Sequence, residues 1–517
     1  MAARYTHGNI EHVESNPPRN TMRQRRSTGC GFLFLIFASI LILGAAWLYT
    51  TWRSSQSVLP SGLSINGLDV SGMTRAQALA TVEQAYTRPI SVTYGGEPIP
   101  PLLPEVIELR VDMEATAQNL DTALEEQGQS GSILAFVNYL MRQLSGQRPE
   151  AIQVPAVVLY SRERVDAYLQ RVAQKYDHPP LKAVALPEAR TFRPPMKGTR
   201  LNVEASLPLL ISALRAADPA DRQVDLVVET EPPPVASPEI LRRAWISALE
   251  DFGGVPGIFG KSLANGQEVC LNCDVAFAGL STMKIGIAAE IYRRYELPLA
   301  PQLSAAMKGM LTESDNAAAN KLLAEIGAGD PYTGALAVTT FLHSLGLRNS
   351  FIAAPYDLKE GVPDPQIVTP ANSQTALNTD PDPYIQTTPT DLGLLLEGLY
   401  QCAHGGGGLL RALYPREITP AECEELITWM AHNKINALLG QGMPPGTRVA
   451  HKHGWRGDTH ADAAIVYGPD PETDFVLVVF LYQPEWLVWE ESVPTFAAIG
   501  SLTYRFFTGF TGSPPTP

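Results

Sequence analysis

One run in the hydropathy pattern is apolar without interruption. Gly31 to Thr51 contains no charged residue, and a membrane-spanning helix needs about 20 such residues. Arg23, Arg25 and Arg26 stand just before it, so the positive-inside rule places residues 1–30 in the cytoplasm and the rest outside. Trp47, Tyr49 and Trp52 are placed for an interfacial belt. A cleaved signal peptide is the competing reading, but the run is long for that role and Trp47-Leu48-Tyr49 is a poor cleavage site. Cys30 precedes the run, so it does not read as a lipoprotein cysteine. The first 29 residues are polar and aperiodic, with Pro17-Pro18, and read as a disordered tail.

Beyond residue 57 the apolar positions follow two periods. Helical spacing marks Arg75 to Tyr86, with Thr74 as a suitable N-cap, and Val203 to about Ala217. It also marks Leu280 to Tyr295 and Asn316 to Ile326. β-rich runs follow at Thr447–Ala450, Ala461–Tyr467 and Asp474–Tyr482, the last two separated by the turn Gly468-Pro469-Asp470-Pro471. Glu231-Pro232-Pro233-Pro234 reads as a stiff linker. The expected organisation is a tail (1–30), a spanning helix (31–51), an α+β extracellular region (57–238) and an α/β domain (244–510).

Length and charge narrow the classes. A chain of 517 residues suggests roughly three to four domains. Its net charge of −14 gives a nucleic-acid role no support. Of five cysteines, Cys270/Cys273 and Cys402/Cys423 form two candidate pairs, either structural disulfides or free thiols. The Cys270-x-x-Cys273 pair opens no helix, unlike a redox motif, and has too few neighbouring ligands for zinc. No metal and no cofactor is expected. Gly405 to Gly408 lack a following Lys-Ser/Thr, so they read as a helix connector rather than a phosphate loop.

The chemistry lies in three motifs in the C-terminal half: Ser281-Thr282-Met283-Lys284, Ser314-Asp315-Asn316 and Lys452-His453-Gly454. A serine hydroxyl must lose its proton as it attacks. Ser281 at a helix start gains from the N-terminal dipole, and Lys284 lies one turn on. A neutral Lys284 would take the proton; a charged one would stabilise the alkoxide. Ser314 is the candidate shuttle to a leaving nitrogen, Asn316 the candidate amide that orients substrate, and Asp315 a loop tie or helix cap. Lys452, on a strand beside a hairpin, offers a fixed cation for a carboxylate, and the strand's backbone an oxyanion donor.

S-x-x-K, S-D-N and a K-T-G-like triplet in this order resemble the class A β-lactamase and penicillin-recognising serine hydrolase family. The hairpin around Asn265-Gly266, Thr387-Thr388-Pro389, Ile427 to Met430 and the helical run Val493 to Phe507 agree with it. The resemblance implies a β-lactamase/transpeptidase-like α/β sandwich, an antiparallel sheet plus a helical subdomain with the serine between them. It implies catalytic roles for Ser281, Lys284 and Ser314, and substrate binding by Asn316, Lys452, His453 and Gly454. The implied partners are β-lactams or D-alanyl peptides of peptidoglycan. A non-catalytic protein that docks or senses the wall on the same fold is the alternative.

Three departures matter. Leu377-Asn378 match the family's omega loop, yet Gln374 falls where its deacylating glutamate stands, and no Glu occurs between Gly361 and Leu396. An amide cannot take a proton from water, and general-base help is worth about 10²–10⁴ in rate. Deacylation is therefore expected to be slow. His453 replaces the usual Ser or Thr; an ordinary imidazole would be charged below ~6.5. The family's arginine on the next strand is missing, with Ala461 near its place and Arg456 in the turn as a substitute. Further upstream, Ile65 to Thr74 and Phe192 to Gly198 resemble wall-binding domains found beside bacterial cell-wall enzymes, or else belong to a spacer.

Overall fold

The computed structural model describes residues 30–126, 136–137, 139–141, 151–357, 362–374, 376–435 and 438–510, without the side chains of 30–36 and Ser55. The chain divides into two units. One comprises 1–177 and 200–229; the other comprises 178–199 and 230–517. The segment 178–199, expected with the N-terminal region, thus folds with the C-terminal unit. Its hairpin Val184–Leu186/Thr191–Arg193 puts Phe192 into that unit's core.

The N-terminal unit begins with the helix Cys30–Ser55. Among the described residues no helix is long and apolar enough to cross a membrane. The expected span starts at Gly31, so its first six side chains lie outside that description. The rest of this unit is α+β. Thr74 caps Arg75–Tyr86 through a reciprocal box with Gln77, as its position predicts. The strand Gln223–Leu226, which follows the helix Val203–Arg215, lies parallel to Ile90–Tyr94.

The C-terminal unit is an α/β sandwich. Five antiparallel strands run in the order Glu268–Leu271, Val255–Ser262, Phe475–Tyr482, Thr459–Val466, Val449–Arg456. The two central strands are buried along their whole length, because both faces are covered. Alternation decides which side chain goes where. Ala461, Ala463, Val478 and Phe480 face the helical subdomain. Ala464, Leu477, Val479 and Leu481 face a layer containing Trp245, Phe496 and Ile499. At about 25 cal/mol per Å² of apolar area, these two cores are the main source of the unit's stability.

Two buried carboxylates of this unit are paired. Glu290, fully buried in the helix Lys284–Arg294, accepts from Arg293 at 2.6 Å and from Arg294 at 2.6 Å. Asp391 accepts from Ser350 Oγ and Asn349 N, both at 2.9 Å. Disulfides join Cys270 to Cys273 and Cys402 to Cys423. The glycine run connects two helices, with Gly406 left-handed at the end of Pro389–Gly405.

Candidate active site

The serine turn is tighter than a periodicity reading suggests. Leu280–Met283 is a single 3₁₀ turn, and the α-helix begins only at Lys284. Leu280 adopts a left-handed φ of 50°, a conformation that costs a β-carbon residue free energy and persists only where its surroundings hold it. Two contacts hold it. Tyr356 donates its hydroxyl to Leu280 O at 3.0 Å. The backbone of Gly454 also lies against the turn: a Cβ there would stand 2.7 Å from Leu280 Cβ and 2.8 Å from Ser281 N. Only glycine lets the strand Val449–Arg456 come this close, so Ser281 N–H and the strand's backbone border one site.

Lys284 is fully buried, and its Nζ donates to Ser314 O at 2.7 Å, Asn316 Oδ1 at 2.6 Å and Ser314 Oγ at 3.4 Å. It also sits 4.7 Å above the centre of the Tyr356 ring. Burial pushes its pKa down to about 8, against the pull of Asp315 and Asp357. Lys452, equally buried, donates to Ser314 Oγ at 2.9 Å and to His453 O at 2.9 Å. Burial, then the charge on Lys284, holds Lys452 well below the ordinary lysine value. Two amines thus converge on one hydroxyl. Ser314 itself is left-handed, with φ 59°. Asp315 caps the helix Asn316–Ile326 by accepting from Ala317 N and Ala318 N.

His453 has its tautomer set by a neighbour. Asn433 Oδ1 accepts from Ile435 N at 3.0 Å, so its amide nitrogen faces the other way, donating to His451 O at 3.1 Å and meeting His453 Nδ1 at 3.2 Å. Nδ1 must accept, which leaves the proton on Nε2. That Nε2 is buried without a partner among the described residues. Burial, then Lys452, pushes the His453 pKa down to about 3. The ring is therefore a neutral donor across the physiological range, not the cation that an ordinary value allows below ~6.5.

The remaining expectations divide. Arg456 is committed to its own hairpin, donating to Asp458 at 2.6 and 3.0 Å and to Asp380 O at 2.6 Å, so it is not a free substitute cation. Gln374 is exposed, and its N–H closes a turn on Ala371 O. Asp364 is exposed and accepts from Gln366 N, while Glu360 lies outside the described residues. Among the described residues no group of three or more His, Cys, Asp or Glu could hold a metal ion.

Residues 295–507 match the Beta-lactamase enzyme family. That stretch contains Ser314, Asn316 and Lys452 and begins after Ser281 and Lys284. The β-lactamases CTX-M-4 and CTX-M-6 of Salmonella typhimurium are each 26% identical over 271 residues, covering 46% of this chain and 80% of theirs. The C-terminal region is class A β-lactamase-like. It is a serine hydrolase of the β-lactamase or penicillin-binding type. Among solved structures, a β-lactamase from Desulfarculus baarsii DSM 2075 is similar at TM-score 0.40 and 19% identity, covering 52% of this chain and 97% of that one. PBP-A is similar at TM-score 0.39 and 19% identity, covering 53% and 97%.

Several groups of this hydrolase site escaped the sequence reading. Tyr356 and Asp357 lie in a loop that Asn320 clamps through Tyr356 N and O at 2.8 and 2.9 Å. Asp357 in turn accepts from Asn316 Nδ2 at 2.8 Å. Asn433 follows the helix Pro420–Ala431 and carries no motif. Buried His451 bonds buried Asp462 at 2.8 Å.

Gly454→Ala drives a methyl into the backbone of the serine turn, where no flexible side chain can yield. It is expected to lower penicillin labelling of this hydrolase at least about 10²-fold, by analogy with the loss of one oxyanion donor. Labelling kinetics with a fluorescent penicillin will measure it, with circular dichroism as the check on folding. Unchanged kinetics in a folded variant would show that the contact is immaterial.

Proposed function

We propose that this chain is a membrane-attached extracellular hydrolase that acylates Ser281 with β-lactams or with D-alanyl peptides of peptidoglycan. The observation that carries the reading is the convergence of Lys284 and Lys452 on Ser314 Oγ beside the Ser281 turn. Ser281 Oγ attacks the carbonyl carbon and gives its proton to neutral Lys284. The oxyanion forms next to Ser281 N–H. As the C–N bond breaks, the Ser314 hydroxyl hands a proton to the leaving nitrogen and is replenished through the lysines. Lys452 and His453 Nε2–H face the substrate carboxylate, and Asn316 orients the acyl side chain. Gln374 supplies no base for water, so the acyl-enzyme is long-lived.

Attachment through residues 31–51 rests on the apolar run and on the arginines before it. The part of the N-terminal unit beyond residue 57, up to 177 and from 200 to 229, then serves as a wall-binding or spacing element. Protease added to intact spheroplasts should remove the hydrolase domain. A domain that resists until the membrane is lysed has the opposite orientation.

The test of the chemistry is covalent labelling by a fluorescent penicillin. Ser281→Ala should abolish it. With Lys284 as base, the labelling rate should rise about tenfold per pH unit below its pKa of about 8 and level off above. The sign decides between the two lysine roles: a charged Lys284 that only stabilised the alkoxide would make labelling fall as pH rises through 8. Full labelling of the Ser281→Ala protein would end the assignment.

A further inference from the structure

Three exposed tryptophans gather just beyond the K-H-G triplet. Trp455 follows Gly454 on the same strand, while Trp486 and Trp489 come from the segment that enters the C-terminal helix. Together they line a cavity of about 410 Å³. Trp455 and Trp489 stand as two walls of a corner, ring centres 5.7 Å apart and planes 68° apart. Each wall is backed by an imidazole: His453 stacks on Trp455 at 5.2 Å, and His460 on Trp489 at 4.1 Å. Trp486 rests on Gly457, where a Cβ would come within 2.9 Å of its ring.

This much indole surface is not needed for packing. Trp455, Trp486 and Trp489 remain 46%, 65% and 37% exposed. An exposed apolar patch of this kind in a concave setting marks a binding site. Charge indicates the ligand. Of the two basic side chains lining the cavity, Arg456 is already neutralised by Asp458, and burial keeps His460 uncharged. Glu490 lines the cavity, and the exposed Glu485 and Glu491 flank it in the chain. Aromatic faces attract cations through the ring quadrupole, and an acidic rim adds to that attraction. The same rim opposes insertion into an anionic membrane surface, the other common role for exposed tryptophan.

We infer that Trp455, Trp486, Trp489 and Glu490 form a cage for an alkylammonium group, one residue away from the acylating site. A molecule held there would present the rest of its length to the strand Val449–Arg456, so the cage selects among amine-bearing ligands. The cage is independent of Ser281 chemistry.

The test uses choline and its neutral isostere 3,3-dimethylbutan-1-ol with the full chain, read by saturation-transfer NMR on the ligand methyls. Choline should bind saturably in roughly the millimolar range and at least about fivefold tighter than the isostere, the margin expected of partly exposed cation–π contacts. Trp486→Ala and Glu490→Gln should each weaken choline about threefold or more. Ser281→Ala should bind choline unchanged, which separates this site from the acylation reading. Equal binding of the two ligands overturns the cage, as does unchanged choline affinity in Glu490→Gln, a variant that leaves every ring in place.

Discussion

Two buried lysines share one serine hydroxyl, and the rest of the catalytic unit is arranged around that fact. Lys284 and Lys452 both reach Ser314 Oγ, at 3.4 and 2.9 Å. Their amines therefore stand no more than roughly 6 Å apart, where two positive charges repel by about 3 kcal/mol at an effective dielectric of 20. Burial raises the cost of each charge further. That repulsion helps hold Lys452 well below the ordinary lysine value, while burial brings Lys284 down to about 8, and a neutral amine is what a serine nucleophile needs beside it. Asp315 and Asp357 keep the proton within reach rather than expelling it outright.

Everything else fixes the positions of these groups. The doubly covered sheet holds Lys452 and His453 on a rigid strand. Gly454 lets that strand touch the serine turn, and Tyr356 ties the same turn to the helical subdomain. Asn433 leaves the His453 proton on Nε2 and burial keeps the ring neutral; in the proposed function that N–H takes the place of the hydroxyl that the family's triplet usually offers. The strained backbone at Leu280 and Ser314 marks where this positioning costs free energy.

The chemistry-bearing residues were legible in the sequence because their roles depend on short, local spacing. Ser281/Lys284 and Ser314/Asn316 sit on helix starts, and the helix Asn316–Ile326 has the bounds that its apolar period predicts. The strands expected at Ala461–Tyr467 and Asp474–Tyr482 shifted by a residue or two, whereas the one expected at Thr447–Ala450 runs on to Arg456. The first turn of the serine helix is 3₁₀ because it must meet Gly454, which lies 173 positions beyond Ser281, a contact that periodicity does not carry. Asn433, Tyr356 and Asp357 act through tertiary hydrogen bonds and have no local signature. Residues 178–199 join the C-terminal unit by burying Phe192 there, and a compositional boundary does not reveal such a return of the chain.

In the proposed function Ser281 acylates readily and Gln374 offers the deacylating water no base. Intact mass of the full chain, followed for hours after exposure to a penicillin, tests both halves at once. One adduct of a single penicillin mass should form and persist, while Gln374→Glu should shorten its life. Rapid hydrolysis of many equivalents by the unmodified protein, with no adduct at any time, would contradict the account.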